Sequence, residues 1–172
     1  SGKTNDSSGV ERSNIVVDGA GYTLQGTGSE KGIDLTGRNN VTVKNMKIEG
    51  FVNGIYLHGS SSNSIFGNNI TNSEYGIRLS YSSNNRISGN NIAANIHWGI
   101  LLLESSNSNS ISGNNIVNNG GGIAITYSSN FNSISRNNIT KNWDGAFLQY
   151  SSNNVVSSNK ITGSHISLWT DT

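Results

Sequence analysis

Ile65-Phe-Gly-Asn-Asn-Ile70, followed six residues later by Gly76-Ile-Arg-Leu79, decides the fold because the chain writes it again and again. Ile87-Ser-Gly-Asn-Asn-Ile92 leads to Gly99-Ile-Leu-Leu102, and Ile111-Ser-Gly-Asn-Asn-Ile116 leads to Gly122-Ile-Ala-Ile125. Outward from this centre, the first apolar residue of each unit falls at Val17, Val43, Ile65, Ile87, Ile111, Ile134 and Val156, in steps of 22 to 26 residues. Self-similarity at such a period marks a solenoid, in which each repeat covers the apolar face of the next. Within each unit the pattern predicts short strands whose residues alternate inward and outward, joined by Asn, Ser and Gly turns.

The expected fold is all-β: a right-handed single-stranded parallel β-helix of about seven coils, with 22–26 residues per coil. Coils spaced by about 4.8 Å would stack into a rod on the order of 34 Å long. A leucine-rich repeat shares the repeat length, but the leucine content and the helical segment are missing. Left-handed hexapeptide helices would need a six-residue regularity, which is absent. The helix domain is expected over residues 15–172. The polar segment 1–14 reads as a partial first coil or the remnant of a longer chain. Trp169 is a candidate lid over a shortened last coil.

Composition agrees with this architecture. Hydrophobic residues are 33% and charged residues 12% of the 172, with 21 glycines, no proline and no cysteine. A disordered chain this polar would ordinarily carry a high net charge, whereas here it is +1. Asn68, Asn90, Asn114, Asn137 and Asn159 share one place in the repeat and should stack as an amide ladder. The Ser pairs beginning at Ser61, Ser82, Ser105, Ser128 and Ser151 mark a second turn column. Near-neutral charge gives no general field for nucleic acid, and no stretch is apolar enough to insert in a membrane. Without cysteine, thiolate metal sites and disulfides are excluded. The sequons at Asn5, Asn40, Asn69 and Asn138 are what chance gives in so Asn-rich a chain.

The segments Ile15-Val-Val-Asp-Gly-Ala-Gly-Tyr-Thr-Leu24, Gly32-Ile-Asp-Leu35 and Asn39-Asn-Val-Thr-Val-Lys-Asn-Met-Lys-Ile48 resemble pectate-lyase-like β-helix repeats of the NosD type. That superfamily includes carbohydrate-binding proteins and sugar hydrolases, and similar repeats occur in microbial cell-surface proteins. The resemblance implies an extracellular or cell-surface module, with a periplasmic location as the alternative. It also admits a NosD-like accessory role in copper-enzyme maturation. One methionine and three separated histidines speak against direct copper binding, and no cofactor or metal site is expected.

Candidate site residues come from register. The two positions before each repeated glycine form a column in which Glu74, Tyr75, His97, Trp98, Trp143 and Asp144 interrupt a bland polar series. Rings beside carboxylates suit polysaccharide, because sugar faces stack on rings and acids accept hydroxyl hydrogen bonds. Glu74 and Asp144 lie three coils apart, about 14 Å along the rod, which is wide for an acid–base pair. With Glu104 they are the candidates for a polysaccharide lyase or glycoside hydrolase reading. A second column, Gly59, Tyr81, Glu104, Tyr127 and Tyr150, reads as rod cover, and His58 beside it as a solvated residue. Alternation turns Leu101, Leu103 and Phe147 outward, as an interface with another copy or a neighbouring domain. Lateral self-association is expected on the same grounds, and end-to-end association because no amphipathic capping pattern covers the ends of the rod. The leading expectation is a non-catalytic structural β-helix module at the cell surface, with polysaccharide binding through the aromatic column as an added role.

Overall fold

A computed structural model describes residues 8–168, with side chains described for residues 9–166. Trp169, expected as a lid, lies outside the described residues. Every described strand is parallel to its neighbours, and three sheets run the length of the rod. In chain order within a coil, sheet 1 begins at Val16–Asp18, sheet 2 at Thr23–Gln25 and sheet 3 at Lys31–Asp34. Sheets 1 and 2 have seven strands each and sheet 3 has eight. The solenoid therefore has about seven turns, and it winds right-handed as parallel crossovers do. The eighth strand of sheet 3 is Ser8–Gly9, which pairs with Ile33 and Asp34, and Val10 packs against the core. Sheet 3 thus begins before residue 15.

Register stacks like on like. In sheet 1 Val43, Ile65, Ile87, Ile111 and Ile134 lie over one another; in sheet 2 Ile48, Ile70, Ile92, Ile116 and Ile139 do the same. All of these are fully buried. Each such side chain contributes roughly 1.5–3 kcal/mol by leaving water.

The corners are amide ladders, and there are three rather than one. Beside the expected column at Asn68, a second runs Asn63, Asn85, Asn109, Asn132, Asn154, and a third runs Ser73, Asn95, Asn119, Asn142. Asn114 shows the logic. Its Oδ1 accepts the Asn90 N–H at 3.0 Å, and its Nδ2 donates to the Ile87 carbonyl at 3.0 Å and to Asn137 Oδ1 at 2.9 Å. A buried amide so placed satisfies backbone that a tight corner would otherwise orphan. Val41, Met46 and Phe51 occupy the three corners one coil earlier, and their N–H groups are the first to be accepted.

The serine column differs from the expected pairs in one place. Its buried members are Ser60, Ser82, Ser106 and Ser129, so the first is Ser60 rather than Ser61. The expectation followed the Ser-Ser spelling, whereas the hydrogen-bond register follows the 22-residue step.

Candidate functional site

The strands of sheet 3 in the middle of the rod, Asn53–His58, Tyr75–Ser80 and Trp98–Leu103, are six residues long. Those of sheet 1 have three. Sheet 3 therefore offers more outward positions per coil, and they carry most of the side chains able to do chemistry. Pairing sets Asp34, Tyr56, Arg78, Leu101, Ala124 and Phe147 in one outward column. Of these, the sequence reading singled out Leu101 and Phe147 and missed Tyr56 and Arg78. The signal was available: both occupy the third place of the Gly-apolar-x-apolar segment.

Toward the N-terminal coils this face is polar and aromatic. Lys31 Nζ sits 4.3 Å from the Tyr56 ring centroid and 2.8 Å from Asp34 Oδ2. Burial pushes the Asp34 carboxyl up, but hydrogen bonds from Lys31 and from the hydroxyl and N–H of Thr36 outweigh it and hold the group below its ordinary range. Arg78 places its guanidinium carbon 5.9 Å from the Tyr56 ring and 5.4 Å from that of Tyr75, within cation–π range. It joins no ion pair among the described residues, and its buried Nε has no acceptor. Tyr75 in turn packs on His97, ring centroids 5.0 Å apart.

Toward the C-terminal coils the face turns apolar. Trp98 folds over Gly121, where an added Cβ would meet the indole at 2.2 Å, and reaches Phe147 two coils away at 5.8 Å. Ala124 is only 1% exposed in this sheet's outward column. Leu101, Leu103 and Phe147 are half-buried, so much of the expected outward interface is packed against the protein itself.

Of the remaining candidates, Trp143 is 78% exposed. Glu74 and Asp144 are half-buried, and register sets them three coils apart. Glu104 and His58 are brought together instead. Ser80 Oγ donates to Glu104 Oε2, and His58 Nδ1 lies 3.2 Å from the same hydroxyl. His58 is half-buried between Tyr56 and Tyr81, not a solvated residue as expected, because register stacks it directly beneath Ser80. Tyr81, Tyr127 and Tyr150 are exposed in left-handed turn conformation. Among the described residues no group of three or more His, Asp or Glu side chains is placed to hold a metal ion.

A family model described as "Right handed beta helix region" matches residues 3–133. No curated protein matches the sequence. Among solved structures, a mutant of the periplasmic alginate epimerase AlgG is similar with a TM-score of 0.72 and 23% identity, covering 80% of this chain and 35% of that one. DFA-IIIase from Arthrobacter chlorophenolicus A6, in complex with GF2, aligns with a TM-score of 0.67 and 14% identity over 81% of this chain and 43% of that one. The A-module of the Azotobacter vinelandii mannuronan C-5 epimerase AlgE6 gives 0.59 and 12%, over 92% and 50%. The chain thus spans half or less of the length of these proteins, and at such identities the likeness is one of fold.

Proposed function

Because the chain belongs to the right-handed β-helix family, whose fold here is shared with carbohydrate-active enzymes, we propose that it is a non-catalytic extracellular or periplasmic module that binds polysaccharide across the outer face of sheet 3. The observation that carries this reading is Arg78, held beside two tyrosine rings without an anionic partner among the described residues. Tyr56, Tyr75, His97 and Trp98 offer ring faces to sugar rings, and Arg78 offers a planar donor to a carboxylate or hydroxyl. Glu74 and Asp144 flank the same face and would accept hydroxyl hydrogen bonds. Calorimetric titration with a panel of neutral and uronic-acid polysaccharides tests it. Binding weakened about tenfold or more by Arg78→Ala, and further by Tyr56→Ala, is expected. A wild-type chain that binds no polysaccharide of the panel would end the proposal.

One observation favours a second reading, polysaccharide cleavage: the hydrogen-bonded string His58, Ser80, Glu104 at the edge of the same face. It gives a carboxylate and an imidazole that a shared hydroxyl couples for proton transfer. Release of oligosaccharides from a polyuronate, lost in Glu104→Gln, would establish it; inactivity across the panel would remove it.

A further inference from the structure

Sheet 1 carries a depression of about 700 Å³ on its outer face, away from the face just described. Its floor is the column Gly67, Gly89, Gly113, all with left-handed backbone (φ 65°, 63° and 65°). That conformation alone does not call for glycine here. The same column holds Asn45 before them and Arg136 and Ser158 after them, at φ 56°, 55° and 55°. Nor does close packing: an added Cβ would meet nothing within 4 Å at Gly89 and Gly113, and only Asn45 Oδ1, at 3.3 Å, at Gly67. The three glycines leave a trough that ordinary turn residues would fill.

The walls are basic and hydroxylic. Arg86 and Arg136 are exposed, make no ion pair among the described residues, and lie two coils apart, about 10 Å along the rod. Ser88 and Ser112 line the space between them, with Phe66 at one end. The single described carboxylate on this sheet, Asp18, is taken up by Lys44 at 3.1 Å. Two unpaired guanidinium groups along an open channel floored by glycine suit an extended polyanion rather than an enclosed small molecule. A single-stranded nucleic acid would want a ring for each base, and the trough has one ring in all.

We infer that this trough is a second binding site, for a linear acidic glycan whose anionic groups meet Arg86 and Arg136 and whose hydroxyls meet the serines. The class of polymer rests on the polysaccharide reading above; the site does not. The test titrates the full chain with polygalacturonate at low salt, with dextran and single-stranded oligothymidylate as comparison polymers. It uses the background Tyr56→Ala/Tyr75→Ala/Arg78→Ala, which dismantles the sheet 3 face. Into it go either Arg86→Glu/Arg136→Glu or Gly89→Asn/Gly113→Asn. The second pair refills the trough with a residue this turn already accepts at Asn45, and circular dichroism checks that it folds. Polygalacturonate should still bind the background, and each pair should weaken that binding about tenfold or more and flatten its salt dependence. Residual binding that neither pair alters overturns the inference, as does a background that binds nothing while the wild type binds. Loss of all binding on altering the trough alone, with the sheet 3 variants without effect, supports the trough and removes the sheet 3 reading. Tighter binding of oligothymidylate than of polygalacturonate overturns the glycan assignment.

Discussion

Two glycine columns distinguish the two faces of this rod. Those at the second position of sheet 3 strands, such as Gly99 and Gly122, are there because the next coil leaves no room. A Cβ on Gly122 would lie 2.3 Å from the Gly145 carbonyl oxygen and 2.7 Å from Ile139 Cγ2. Gly89 and Gly113 of the sheet 1 trough have open space above them. One column is a condition of stacking, whereas the other shapes the surface. The same residue type in the same repeat therefore carries opposite meanings, separated by the distance to the next coil and by the left-handed backbone of the trough glycines.

The largest effect should come from breaking that distinction directly. Gly122→Ala forces backbone apart and should destabilise by roughly 2–4 kcal/mol, measured by urea unfolding. Gly89→Asn, in the same assay, should stay within about 0.5 kcal/mol of the wild type. Similar losses for the two would erase the contrast. Next, Asn114→Ala should cost roughly 1–3 kcal/mol, because the Asn90 N–H loses its acceptor in a dry corner. Replacing exposed Asn153, in a turn between sheets 3 and 1, should do little.

Gly121→Ala sharpens the comparison from the other side. The clashing atoms belong to the Trp98 indole, a side chain that can swing away, so roughly 1 kcal/mol or less is expected. Tryptophan fluorescence should shift toward the solvent-exposed value as the ring leaves Phe147; an unchanged spectrum would mean the ring has another way to stay.

The smallest effect is electrostatic and sits at the start of sheet 1. The Asp18 carboxyl is lowered from 3.8 to about 2, chiefly by the Ala20 N–H, then by Asn45 and Lys44. A folded-state value below the unfolded one means these bonds stabilise the fold at neutral pH and lose that effect as pH falls from about 3.8 toward about 2. Asp18→Asn should therefore flatten the acid limb of a stability–pH profile slightly. A profile of unchanged slope would show that the turn does not depend on the charge. Asp34, also lowered, would add to the same limb from sheet 3.

Much of this molecule was legible because a solenoid repeats its instructions. Ile87, Ile111 and Ile134 announce their stacking by spacing alone, as do Gly76, Gly99 and Gly122 and the ladder at Asn90. The two further amide columns were present in the same letters, but Asn85 follows directly on Asn84 in a run of polar residues, and the column of Asn95 opens on Ser73, so neither period was read. The site was read in part. Tyr75, His97 and Trp98 were found as interruptions of a polar series, whereas Tyr56 and Arg78 were passed over in an outward strand position noticed only where it is apolar, at Leu101 and Phe147. His58 was read as solvated because its partners, Ser80 and Glu104, are 22 and 46 residues away in sequence.

What the sequence by itself determined is the coil: its length, the residues that face inward, and the fact that like falls on like. Those follow from period and alternation, which are properties of a one-dimensional string. Only the tertiary structure decided what happens between non-equivalent positions of neighbouring coils. It laid Trp98 across a glycine onto Phe147, hung Arg78 between two tyrosines, and left the trough open between Arg86 and Arg136. Side-chain length and direction across the 4.8 Å step of the stack settle those contacts, and period carries neither.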